Sequence, residues 1–209
     1  MDEKIIVGKE TDYPLDGILS MPNESQHKFP AVVLVHGSGP LDKDETIMAN
    51  KPFRDIAEYL SGKGIAVLRY DKRTKIYGKK MLKQKNRGSM SVEDETIEDT
   101  ILAANLLRSD IRIDHDKVFI IDHSLGGMLA PRIDAEGGNF AGIIIMAGSP
   151  RNLSEIMLSQ NEDMIGQLNK ILQKLAVKQI ASLKAKFDAI SVMSDEGART
   201  KKYSDYKGI

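Results

Sequence analysis

Residues 118–133 read VFIIDHSLGGMLAPRI. An apolar run of β-formers ends at Asp122-His123-Ser124, and Gly126 and Gly127 then open a segment of helical character. Strand, sharp turn and helix in that order form a nucleophile elbow when a serine stands at the tip. Small residues must flank it because backbone passes close by, and the helix N-terminus aims free N–H groups at developing negative charge. The usual spelling is Gly-x-Ser-x-Gly. Here Asp122 takes the place of the first glycine, and a carboxylate there is expected to crowd the elbow or alter its electrostatics. The competing reading is that Ser124 caps the following helix, a common role for serine. The motif alone leaves both readings open.

The same alternation extends in both directions. KIIVGKE and LDGILSMP read as short strands separated by turn chemistry. AVVLVHG (31–37) is a continuous apolar run suited to a strand buried on both faces. PFRDIAEYLSGKG (52–64) puts Phe53, Ile56, Ala57 and Leu60 on one helical face and stops at Gly62 and Gly64. IAVLRYD (65–71) is the next strand, and the basic stretch 72–90 is expected to be a solvated loop. Residues 91–110 form a helix begun by Ser91, with Asp94 as partner or as part of an acidic first turn. Strands at 117–124 and 141–148 flank a helix that contains Pro131. The expected fold is α/β, with a mostly parallel sheet and flanking helices. Residues 1–150 form this core. Residues 151–190 are helical, with Met164, Leu168, Ile171, Leu172 and Leu175 on one face continued by Ile180, Leu183 and Phe187, and are expected to act as a cap or lid or to pack on the body. Residues 191–209 form a polar tail.

VLVHGSGP (33–40) follows the first core strand. His36-Gly37-Ser38-Gly39 is the type of turn that offers an oxyanion N–H from the loop after that strand, with Gly37 and Gly39 leaving the backbone exposed. An ordinary Gly-rich βα turn and a phosphate cradle are the alternatives. Neither Gly-x-Gly-x-x-Gly nor Gly-x-x-x-x-Gly-Lys-Ser/Thr is present to support the cradle.

HGSGPLDKDET (36–46), NKPFRDIAEYLSGKGIAVLRYDKRT (50–74), DHSLGGMLAPRI (122–133) and IIIMAGSPRNLSEIMLSQ (143–160) together resemble the α/β-hydrolase superfamily. Within it they are similar to a group of bacterial serine carboxylesterases, over roughly residues 5–190. The resemblance implies hydrolysis of carboxylic esters through a covalent acyl-serine. It implies Ser124 as nucleophile, with the backbone N–H groups of Ser38 and Leu125 as the oxyanion hole and His36, Gly37, Gly39 and Gly126 in support. Asp71 and Arg73 take structural roles in the matching segment Tyr70-Asp71-Lys72-Arg73.

The triad of such enzymes runs Ser, then Asp or Glu, then His along the chain. No histidine follows Ser124, and the four present are His27, His36, His115 and His123. His36 belongs to the oxyanion turn, and His123 is expected to point away from the nucleophile. His115 and His27 lie in loops. Asp195, Glu196 and Asp205 have no clear strand before them. The sequence is therefore expected to stop inside or just after the cap, before the triad acid and histidine and without the last strands, and to be severely impaired as a catalyst. Strand 141–148 then becomes an apolar edge. It is expected to be covered by helices 151–190, or paired with a second copy through that strand or the cap helices.

Composition narrows the alternatives. Thirty basic residues balance thirty acidic ones, and aromatics make up 5% with no tryptophan. Neither fits a nucleic-acid binder. The absence of cysteine removes disulfides, thiolate nucleophiles and thiolate metal sites. The charged N-terminus lacks an apolar h-region and no run is long enough to span a bilayer, so a cytoplasmic location is expected. No cofactor is implied, and no His/Asp/Glu cluster stands at metal-ligand spacing. The expected partner is a small acyl ester. A non-catalytic protein of the same fold that binds a small ligand or a partner chain is the second reading, and a phosphate or nucleotide binder the third.

Overall fold

The computed structural model describes residues 1–23, 27–84 and 91–192. They fall into two compact units, 1–84 with 91–149, and 150–192. Nearly all of the expected polar tail lies outside the described residues.

The first unit is built on a six-stranded sheet in the order β1-β2-β4-β3-β5-β6. Its strands are β1 (Asp2–Val7), β2 (Leu15–Ser20), β3 (Phe29–Val35), β4 (Ala66–Tyr70), β5 (Ile113–His123) and β6 (Gly142–Met146). β1 and β2 join antiparallel at one side, and β4, β3, β5 and β6 run parallel. The unbroken apolar run of β3 has its cause here. Ala31, Val33 and Val35 enter the larger core on one face with Ala104 and Leu107 of α3 (Glu98–Ser109). Val32 and Leu34 enter the other with Phe53 and Ala57 of α1 (Pro52–Ser61). A strand covered on both faces has no polar side to alternate.

Three elements differ from expectation. The basic stretch is not a loop: Arg73–Gln84 is a helix, α2. Its apolar residues are few but anchored, with Met81 buried and the Tyr77 hydroxyl donating to Pro14 O at 2.8 Å. Tertiary contacts outweigh a weak local pattern. Helix 91–110 opens with a π-helical turn, Glu93–Ile97, before α3. Its start is as expected, with Asp94 Oδ2 accepting from the Ser91 N–H and hydroxyl at 3.2 and 3.1 Å. β5 is also longer, beginning at Ile113.

β6 pairs with β5 and stands at the sheet's edge. Ile143, Ile144 and Ile145 are 36%, 49% and 51% exposed, so both of its faces leave apolar surface open.

The second unit is a pair of helices, α5 (Leu153–Ile165) and α6 (Lys170–Ser191), broken after Gly166. Met164, Leu168, Ile180 and Leu183 of the expected face line, with Ile165, a cleft of about 630 Å³ between the helices. The break turns Leu172 and Leu175, expected on the same face, out to exposure. No helix among the described residues is long and apolar enough to cross a membrane.

Candidate active site

β5 delivers Ser124 to a turn in front of α4 (Leu125–Ile133). Ser124 has φ 51° and ψ −109°, a conformation a non-glycine residue adopts only when its surroundings impose it. The imposition is visible: the Ser124 N–H donates to Met146 O of β6 at 2.9 Å, and its carbonyl accepts from the Met128 N–H at 3.1 Å. Its side chain makes no capping bond to α4. The simple-cap reading therefore lacks the hydrogen bond that defines it. Gly126 has to be small, because a Cβ there would sit 2.9 Å from His36 O and 3.0 Å from Val35 O. The start of α4 is thus pressed against the end of β3.

That strand end carries the second turn. His36 is buried between the rings of Phe53 and Tyr70, at 5.0 and 5.6 Å between centroids. Burial pushes its pKa down to about 4, so the imidazole is neutral. Its Nε2 lies 2.9 Å from Asp42 O and must carry the proton, since a carbonyl only accepts. Gly37 lies against the elbow, where an added Cβ would come 3.2 Å from Ser124 Cβ and 3.3 Å from His123 Nδ1. Gly39 follows with φ 95°. Among the described residues, no acceptor takes the N–H of Ser38 or of Leu125. The two turns thus bring together Ser124, a glycine-lined approach and two unengaged backbone donors.

Asp122 neither leaves the sheet nor finds a partner. It is fully buried in β5, in register with Val35 of β3. Neither carboxyl oxygen has a hydrogen-bond partner among the described residues. Burial pushes its pKa up to about 8, so it is chiefly protonated at neutral pH and adds little negative charge behind the elbow.

The structure places the other histidines as follows. His123 turns to the loop that follows β3, its Nδ1 2.9 Å from Glu45 Oε1. His115 is exposed beside Asp116 at 3.4 Å, and His27 is exposed on the first unit's surface. None of the four hydrogen-bonds the Ser124 hydroxyl among the described residues. Asp195, Glu196 and Asp205 lie outside those residues.

Asp71 braces the loop after β3, and Arg73 ties the start of α2 to α3. Asp71 accepts from the Lys43 N–H and ammonium, both at 2.8 Å. Arg73 pairs with buried Asp99 and with Glu98. One cluster was missed: ligand atoms of Asp114, His115 and Asp116 lie within 4.8 Å of one another. It is a surface group, and Asp114 is already paired with Lys117 at 2.9 Å.

Sequence reasoning also passed over Glu45 and Lys72. Buried Glu45 Oε1 accepts from the Gly37 N–H at 3.0 Å as well as facing His123. Lys72 Nζ donates to Gly37 O at 2.6 Å. Glu45 stands in the charged stretch Asp42-Lys43-Asp44-Glu45 and Lys72 in a basic run, so neither is marked by residue type. Only the return of both segments to Gly37 singles them out.

No protein-family profile matches the chain. It is 39% identical over 196 residues to Esterase EstD of Thermotoga maritima, covering 92% of this chain and 44% of that protein. The chain therefore spans less than half the length of this curated relative. Among solved structures it is similar to the apo form of Thermogutta terrifontis esterase 2, with TM-score 0.50, 19% identity, and 73% of this chain and 59% of that one covered. The same enzyme phosphorylated by paraoxon matches with TM-score 0.51 and 18% identity, over 70% and 57%. At these identities the likeness is one of fold.

Proposed function

We propose that this chain, which has the α/β-hydrolase fold, carries the nucleophile and oxyanion hole of a serine hydrolase acting on small carboxylic esters. One observation carries the reading: Ser124 is held at positive φ at the tip of a strand–turn–helix, with the Gly37 turn packed against its Cβ. The likeness to an esterase supports it. Ser124 Oγ attacks the acyl carbon, and negative charge collects on the carbonyl oxygen, where the N–H groups of Ser38 and Leu125 receive it. The carbon–oxygen bond to the alcohol breaks, the serine proton goes to the departing oxygen, and an acyl-serine remains. Water then attacks that carbon and releases the acid with Ser124 restored.

Among the described residues no base engages the Ser124 hydroxyl, and a serine without a base is a poor nucleophile at neutral pH. Removing the histidine of such a unit costs on the order of 10⁶ in turnover, while oxyanion donors and binding alone leave roughly 10³ over water. These 209 residues acting alone are therefore expected to be slow. The helices α5 and α6 serve as cap in this proposal, and their apolar cleft supports that role. Pairing with a second copy through the β6 edge is supported by its three exposed isoleucines. The balanced charge supports a setting without nucleic-acid partners.

The test is hydrolysis of p-nitrophenyl butyrate by the purified chain beside Ser124→Ala. Slow turnover that disappears in the variant is expected. Equal rates in both would remove the reading and favour a binding protein of the same fold. A full esterase rate would remove the impairment.

A further inference from the structure

The Gly37–Ser38 peptide is held at its carbonyl end by a buried cation. Lys72 Nζ donates to Gly37 O at 2.6 Å and pairs with Glu95 Oε1 at 2.7 Å, and its side chain is 3% exposed. An ammonium is costly to bury, and burial lowers the pKa of Lys72. A carbonyl is an unusual recipient for a charge that most folds leave in water.

The geometry of the peptide bond gives this contact its meaning. Neither peptide bond flanking Gly37 is cis. In a trans planar peptide the C=O and the following N–H point in opposite directions. Anchoring Gly37 O on Lys72 therefore aims the Ser38 N–H the other way. On the far side of Gly37, the preceding peptide is anchored through the Gly37 N–H to Glu45 Oε1 at 3.0 Å. Both peptides flanking Gly37 are thus fixed. The residue between them has no Cβ to steady it, and its Cα lies against Ser124.

We propose that Lys72 is a positioning residue of the oxyanion hole. It clamps Gly37 O so that the Ser38 N–H is pre-aimed at the acyl oxygen, and its charge polarises that same peptide as the oxygen becomes negative. The inference rests on the reading of Ser124 as nucleophile. Lys72 touches neither substrate nor reacting atoms, and it acts through the peptide dipole. Preorganised donors of this kind need no reorientation when charge develops, and hydrogen bonds in series strengthen one another.

The test uses the ¹⁵N,¹³C-labelled chain and paraoxon as probe. In the phosphorylation, Ser124 Oγ forms the bond to phosphorus, p-nitrophenolate leaves, and the hydroxyl proton passes to water. The variants are Lys72→Met, Lys72→Arg, which keeps charge and donors, and Glu95→Gln, which removes the ion pair but not the bond to Gly37. Lys72→Met is expected to shift the Ser38 amide resonance and to slow the Ser124-dependent p-nitrophenolate burst about 100-fold, the loss typical of one oxyanion donor. Lys72→Arg restores much of both, and Glu95→Gln changes the burst by less than about threefold.

A burst that falls equally in Lys72→Met and Glu95→Gln, with the Ser38 resonance unmoved, would reduce Lys72 to a structural anchor and overturn the proposal. Should Lys72→Met fail to fold, the unaltered chain decides. A downfield Gly37 carbonyl carbon supports the clamp, and a random-coil value overturns it. If the unaltered chain gives no burst beyond Ser124→Ala, the hydrolase reading falls by itself. The Ser38 shift then still upholds or removes the clamp.

Discussion

Replacing Asp122 with asparagine should flatten the dependence of stability on pH. The carboxyl ionises near 3.8 when solvated and near 8 in the fold, because burial disfavours its charge and no hydrogen bond offsets that cost. Below pH 3.8 both states are protonated and there is no penalty. From there to pH 8 the unfolded chain has released a proton that the folded chain keeps, so stability falls as pH rises, and the loss is complete above the folded pKa. Each pH unit within that window is worth about 1.36 kcal/mol. Between pH 5 and pH 7 Asp122 should therefore remove about 2.7 kcal/mol, a large share of the ~5–15 kcal/mol that holds a typical domain folded. Asparagine has nearly the same shape and does not titrate. Urea denaturation of both proteins at pH 5, 6, 7 and 8 gives the difference directly. Asp99, raised to about 6 by burial, titrates in both proteins, and its contribution cancels in the comparison. Parallel profiles for the two proteins would show that Asp122 is ionised or solvated in the fold, and the account of the elbow as uncharged would fail.

Three further outcomes are expected. Gly126→Ala drives a Cβ to 2.9 Å from a backbone oxygen that has no rotamer to change, so urea denaturation should show a loss of ~1–3 kcal/mol. Full stability would mean that the elbow is looser than described. Arg73→Met leaves buried Asp99 without its guanidinium and should cost about 3–5 kcal/mol by the same assay, since an unpaired buried charge is penalised more than a lost contact. Ile144→Lys places a charge on the exposed β6 strand. If that edge mediates self-association, sedimentation should show the unaltered chain associating and the variant monomeric, and identical behaviour would remove β6 from the interface.

Much of the fold was legible in the sequence because it follows from burial period alone. The apolar runs at 31–35 and 118–121 cannot be half-exposed strands, and the stripe Phe53, Ile56, Ala57 and Leu60 turns one helical face inward. The elbow was legible for a different reason: a serine before two glycines, between a strand and a helix, has few local conformations open to it. α2 was not legible. Its residues are basic and polar, and what makes them helical is Tyr77 reaching Pro14 and Met81 entering the core, contacts that no local window contains. In α6 the expected Ile180 and Leu183 do line the cleft, but Leu172 and Leu175 near its start were misplaced, because Gly166 breaks the period and a residue after a break starts a new phase.

For the site, the sequence by itself determined the nucleophile candidate, the two glycine turns and the order of the strands' chemistry. These depend on neighbouring residues and on backbone conformations that only certain residue types allow. Only the tertiary structure decided that Asp122 is buried without a partner, that His123 faces Glu45, and that Lys72 reaches Gly37 across 35 residues of chain. A hydrogen bond is satisfied by proximity in space, and the sequence records the donor and the acceptor without recording which ones the fold brings together.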